Sequence, residues 1–123
     1  MKRVAVIGAS NDRDKYGNKA VRAFRKAGYE VFPVNPSLAE IEGLKAYPTV
    51  REVPGDLDKI TVYLRPPLVL KVLPEIAAKG CGEVWLNPGT SSPAVLAEAQ
   101  RLGLKAIEGC SIVAIGQSPH RLD

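Results

Sequence analysis

The first β-branched run, Arg3 to Ile7, ends in Gly8-Ala9-Ser10, and a helical pattern begins near Gly17. Strand, glycine loop and helix start in this order form a phosphate-binding type of element. Glycine lets backbone approach a phosphate closely, and free N–H groups at a helix start point toward an anion. The spacing GASNDRDKYG is not GxGxxG, since Ser10 and Arg13 stand at the second and third glycine places, and it lacks the GK[ST] ending of a P-loop. Its place after the first strand therefore carries the reading, against a plain turn glycine at Gly8.

The second strand pattern closes on Val34-Asn35-Pro36. A NAD-binding Rossmann unit places an acid about 20 residues after its glycines, to hold the ribose hydroxyls. Asn35 keeps the hydrogen-bonding capacity but not the charge that would repel a ribose phosphate. A nucleotide with a phosphorylated ribose therefore fits better than NAD, the alternative for Asn35-Pro36 being a structural turn.

Catalytic groupings are thin. The one histidine, His120, lies in the tail and reads as solvated. The i,i+2 acid pairs Asp12/Asp14, Glu40/Glu42 and Asp56/Asp58 fall in loops and read as surface solubilisers. Cys81, between two glycines, reads as structural, while Cys110 follows the last strand on the crevice side. Neither has a second Cys or His at metal-ligand spacing, so no metal site and no catalytic residue is expected.

The elements that position these residues are α/β in pattern. Arg3 to Ile7, Glu30 to Val34, Lys59 to Leu64, Glu83 to Leu86 and Leu104 to Ile107 are nearly continuous apolar runs, as in strands covered on both faces. Helices are expected over Lys19 to Ala27, Pro67 to Lys79 and Pro93 to Leu102, with Gly28, Gly80 and Gly103 as stops, Ser92 as an N-cap and a kink or division at Pro74. Pro36 to Gly55 reads as a long loop with at most a short helix, and the stretch after Cys110 has weak signals. The reading is a Rossmann-like five-stranded parallel sheet, helices on both faces, in the expected order 3-2-1-4-5.

With 123 residues, one domain over 1–123 is expected, and 46% hydrophobic residues suffice for a core. Seventeen Lys and Arg against 13 Asp and Glu leave +4, mild for a nucleic-acid binder but suited to a small polyanion. No apolar stretch approaches the roughly 20 residues of a membrane span. The start MKRVAVIG leads straight into a strand, so no signal peptide is expected, and two separated cysteines suit the cytoplasm.

Four ordered motifs, GASNDRDKYGNKAVRAFRKAGYEVFPVNP, GLKAYPTV, VYLRPP and VWLNPG, resemble the small stand-alone CoA-binding proteins of the YccU-like group. Their fold is that of the CoA-binding domain in the α subunit of succinyl-CoA synthetase, and the resemblance spans about Lys2 to Cys110. It implies that Gly8, Ala9 and Ser10 wrap the pyrophosphate, with Tyr16 and Gly17 completing the loop. Val34, Asn35 and Pro36 take the adenosine side. Arg65 and Pro66 form a wall over adenine and pantetheine, Arg65 mattering more than a helix-face base such as Arg25. Asn87, Pro88 and Gly89 face the pantetheine, on a fourth strand expected beside the first.

Two positions depart from that pattern. Ser37 and Leu38 follow the NP pair where a basic residue is common, which makes Lys15 and Lys45 the candidates for the 3′-phosphate. Gly109 stands where an Arg often precedes the cysteine. Cys110 would lie near the thiol end of bound CoA, within reach of a mixed disulfide, the alternative being a buried inert thiol. The expected function is non-catalytic binding of CoA or acyl-CoA. The alternative is a small NAD(P)-binding oxidoreductase or redox sensor.

Overall fold

The computed structural model describes residues 1–122. In chain order the elements are β1 (Arg3–Ile7), α1 (Tyr16–Lys26), β2 (Glu30–Val34), β3 (Glu40–Ile41), β4 (Leu44–Lys45), a 3-10 turn (Val50–Glu52), β5 (Lys59–Val62), α2 (Pro66–Lys79), β6 (Glu83–Leu86), α3 (Pro93–Arg101), β7 (Ala106–Glu108) and α4 (Ser111–Ala114). The fold is the expected Rossmann-like α/β, a five-stranded parallel sheet with helices on both faces. Successive side chains of a strand point to opposite faces. Val4 and Val6 accordingly pack with α1 and α4, whereas Ala5 and Ile7 pack with α2 and α3. None of the helices among the described residues is long and apolar enough to cross a membrane.

The strand order corrects the expectation. The sheet runs β2-β1-β5-β6-β7, which is 2-1-3-4-5 when only its own strands are counted, not 3-2-1-4-5. The third sheet strand lies beside the first, on the side away from β2. The cause is the segment after β2, which carries no long helix to make a crossover beyond the β2 edge. It forms the antiparallel β3-β4 ribbon and then crosses the face occupied by α2, burying Val50, Val53 and Leu57 in the same apolar layer. A right-handed crossover on that face leads past β1, to the position β5 takes. At the outer edge of β2, Tyr47 N–H donates to the Pro33 carbonyl at 2.9 Å and the Tyr47 carbonyl accepts from Asn35 N–H at 3.0 Å. Pro33, with no N–H of its own, is compatible only with such an edge.

Helix boundaries follow local chemistry. Pro66 and Pro67 open α2 where N–H groups have no helical partner, and Ser92 caps α3 by accepting from Val95 N–H at 3.2 Å. α2 runs unbroken through Pro74, contrary to the expected division. Pro74 and Leu70 both lie on its exposed face, so the Leu70 carbonyl deprived of a donor faces water. After Cys110 the chain folds into the one-turn α4, with Ile112 fully buried.

Candidate functional site at the carboxyl ends of the strands

β1 and β5 are adjacent, yet their connections leave in opposite directions, α1 to one face and α2 to the other. Such a reversal opens a crevice at the carboxyl ends of the strands. A cleft of about 550 Å³ lies there, within the usual range of small-molecule pockets. Its floor is Gly8, Ala9 and Ser10, with Lys15 at the start of α1. One wall is Val34 to Pro36 and Pro48 to Val50, and the other is Tyr63, Leu64 and one stripe of α2.

The floor is made by two glycines. Gly8 has φ +88°, and a Cβ on it would overlap the Tyr63 carbonyl oxygen. A Cβ on Gly17 would overlap the Gly8 carbonyl oxygen. Three backbones thus nest, β5 on β1 and the start of α1 on the loop after β1, which leaves Ser10 to Lys15 folded across the crevice. Gly17 serves this helix-to-strand packing and does not itself line the cleft.

The loop is pinned from below. Asn18, fully buried, donates through Nδ2 to the Ser10 carbonyl at 2.8 Å and to Glu42 Oε2 at 3.0 Å. Glu42 also pairs with Arg13 at 3.4 Å. It sits at the tip of the β3-β4 ribbon with φ +50°, a conformation costly for a residue with a Cβ. Glu42, read from sequence as a surface solubiliser, is instead half-buried and holds the loop. Ser10 Oγ accepts from Asp12 N–H at 3.0 Å. Asn35 ties the two sides together, Nδ2 donating to the Ala9 carbonyl at 2.9 Å while Oδ1 accepts from Ser37 and Leu38 N–H at 2.8 and 3.1 Å. The turn alternative for Asn35 thus describes its main contacts, with one amide N–H left over.

A buried polar network closes the opposite side. Asn87 Nδ2 donates to Thr61 Oγ1 at 2.7 Å and to the Val62 carbonyl at 3.0 Å, and its Oδ1 accepts from Ser111 N–H at 2.9 Å. Ser111 Oγ lies 2.8 Å from Thr61 Oγ1 and 3.1 Å from Tyr63 OH. Burial pushes the Tyr63 hydroxyl up to about 12. Asn87 therefore clamps the ends of β5 and β6 to the start of α4.

The family described as the CoA binding domain matches residues 2–116. The chain belongs to that family. A protein of Bacillus subtilis named YneT is 33% identical over 88 residues, which are 72% of this chain and 65% of YneT. The alpha subunit of ADP-forming acetate–CoA ligase II of Pyrococcus furiosus is 38% identical over 88 residues, 70% of this chain and 19% of the subunit. The chain thus spans just under two thirds of the first relative and about a fifth of the second. Among solved structures, a conserved hypothetical protein of Pyrococcus furiosus superposes with TM-score 0.86 at 35% identity, covering 93% of this chain and 99% of that one. The dinucleotide-forming acetyl-coenzyme A synthetase 1 of Candidatus Korarchaeum cryptofilum, in complex with phosphate and ADP, superposes with TM-score 0.76 at 27% identity, covering 86% of this chain and 25% of that one.

In this CoA-binding domain the cleft gathers Gly8, Ala9, Ser10, Lys15, Val34, Asn35 and Pro36. Tyr16, Gly17, Arg65, Pro66, Asn87, Pro88 and Gly89 lie outside its lining. Arg65 is exposed at the N-cap of α2, and Tyr16 is exposed beneath Lys19 Nζ, 4.8 Å from its ring centre. The fourth sheet strand, β6, is separated from β1 by β5, so the expectation that it borders the first strand is corrected. Asn87 is spent on the network, while Pro88 and Gly89 are exposed. Lys45 stands over the Tyr47 ring in a separate depression at the outer edge of β2. Lys71 and Glu75 of α2 and Thr49 of the long loop line the cleft without having been singled out in the sequence. Periodicity alone would have placed Lys71 on a solvated helix face.

The cysteines are both free. Cys110 is the N-cap of α4 and packs near Tyr63, with β5 and β6 between its strand and β1, and it does not line the cleft. Cys81 Sγ donates to the Glu83 carbonyl at 3.4 Å, and burial pushes its thiol up to about 11. At pH 8 about one such thiol in a thousand is thiolate, the reactive form. Alkylation of Cys81 by iodoacetamide is expected to be slow at pH 8 and to rise about tenfold per pH unit up to pH 11. Fast, pH-independent labelling of Cys81, read by peptide mass, would contradict its burial.

Proposed function

We propose that this chain binds CoA or an acyl-CoA at the carboxyl ends of its parallel strands and acts as a binding domain without chemistry of its own. The observation that carries the reading is the nested Gly8 and Gly17 backbone beneath a cleft bordered by Lys15 and Lys71. In this reading the pyrophosphate lies on Gly8 to Ser10, where N–H groups at the start of α1 and the Lys15 ammonium offset its charge. The adenosine lies between Val34 to Pro36, Pro48 to Val50 and the apolar side chains Leu68 and Val72. The pantetheine leaves along the exposed rim past Tyr16, Pro88 and Gly89, with Arg65 and Pro66 at its flank. The reducing cytoplasm suits two free cysteines. The ligand is a small molecule, and neither a nucleic acid nor a membrane enters the reading.

The test is titration calorimetry with CoA, NAD and NADP. CoA is expected to bind at least about tenfold more tightly than either dinucleotide, one such factor being about 1.4 kcal/mol. Equal affinities would reject the reading, and a preference for NAD or NADP would favour a small oxidoreductase instead.

A further inference from the structure

We propose that Lys71 sets the specificity of the cleft for a phosphorylated ribose, by pairing with the 3′-phosphate of CoA. This rests on the CoA reading above and adds to it a residue and a selectivity. The segment that follows β2, Asn35 to Leu38, carries no cation, so a phosphate on the ribose must find its counter-charge on another wall. Leu68, Lys71, Val72 and Glu75 are spaced i, i+3, i+4, i+7 on α2 and form one continuous stripe along the cleft. Their neighbours Val69, Leu73 and Ile76 are buried in the core and hold that stripe in place. α2 packs against the 3-10 turn at Val50, so the stripe faces the β2 side of the cleft, where the ribose lies.

Three other lysines are placed elsewhere. Lys15 stands over the glycine loop, at the pyrophosphate end. Lys79 Nζ donates to the Val53 carbonyl at 2.5 Å, and Lys45 lies in the separate depression beyond the β2 edge. Lys71 is exposed, lines the cleft and forms no ion pair among the described residues. Glu75, one turn further along the same stripe, is the opposing charge. A dianionic phosphate between them is attracted by Lys71 and repelled by Glu75, so the two side chains act with opposite signs.

The experiment is calorimetry with CoA and with dephospho-CoA, which lacks only the 3′-phosphate, on the parent chain and on Lys71→Gln and Glu75→Gln. Both substitutions are at the helix surface and leave the core untouched. Lys71→Gln is expected to weaken CoA about tenfold and to leave dephospho-CoA within about twofold. Glu75→Gln is expected to tighten CoA by about two- to threefold with little effect on dephospho-CoA. Unchanged CoA affinity in Lys71→Gln would overturn the assignment, and so would an equal loss for both ligands, which would make Lys71 a pyrophosphate contact. In either of those cases the parent still binds CoA, and only the specificity assignment falls. A parent chain that binds neither ligand would overturn both this assignment and the CoA reading.

Discussion

Gly17→Ala is expected to cost about 3 kcal/mol of stability, at the upper end of overpacking penalties, and to abolish CoA binding. The single added carbon meets the Gly8 carbonyl oxygen, which is backbone, and Gly8 is tied to β2 through its N–H, which donates to the Val34 carbonyl at 3.2 Å, so neither partner can rotate away. The start of α1 must then move off the loop, and the cleft floor moves with it. Gly28→Ala is the control, because Gly28 has open space where a Cβ would go, although its φ of +90° is left-handed while Gly17 lies in α1. That variant is expected to lose only the left-handed backbone penalty, about 1 to 2 kcal/mol, and to keep ligand binding. Thermal melts of the two variants measure the difference. Equal melting temperatures, or full CoA affinity in Gly17→Ala, would show that the nest is not tight.

Asn87→Ala is expected to cost about 3 kcal/mol and to loosen α4, with a smaller loss of CoA affinity. Truncation strands buried partners rather than merely removing contacts. The Ser111 N–H, the Val62 carbonyl and Thr61 Oγ1 each lose a partner in a site that is closed to water. Leaving one such group unsatisfied costs about 1 to 3 kcal/mol. Chemical denaturation gives the total, and hydrogen exchange at Ile112 to Ile115 reports whether α4 opens first. A cost below about 1 kcal/mol with unchanged exchange would mean that the network is not under this constraint.

The sheet strands and three main helices could be read from sequence because their signals are local: apolar runs, proline at helix starts, glycine after helix ends. Pro33 held a clue to the strand order. A proline within a strand needs an edge, and the order 3-2-1-4-5 would have put β2 between two neighbours. The β3-β4 ribbon went unseen because each strand has two residues and its turn is Glu42-Gly43, not the Asn-Gly or Asp-Gly pair that signals a hairpin. The glycine loop was readable as a loop. The packing role of Gly17 was not, since it depends on a carbonyl nine residues earlier that only the folded crossing brings near. The surroundings of Asn87 and Lys71 are hidden from the sequence for the same reason, in opposite senses. Distant partners draw Asn87 into the interior, and the packing of α2 on the 3-10 turn turns Lys71 from a solvated face toward the cleft.

The central claim, that CoA binds in the cleft between β1, β2 and β5, is tested most directly by mapping backbone amide chemical shifts while CoA is added. Saturable shifts are expected at Gly8 to Tyr16, Asn35, Thr49, Val50, Tyr63 and Leu64, and along the α2 stripe from Leu68 to Glu75. Shifts confined to the outer edge of β2, around Tyr29, Lys45 and Tyr47, or no saturable shifts at all, would contradict it.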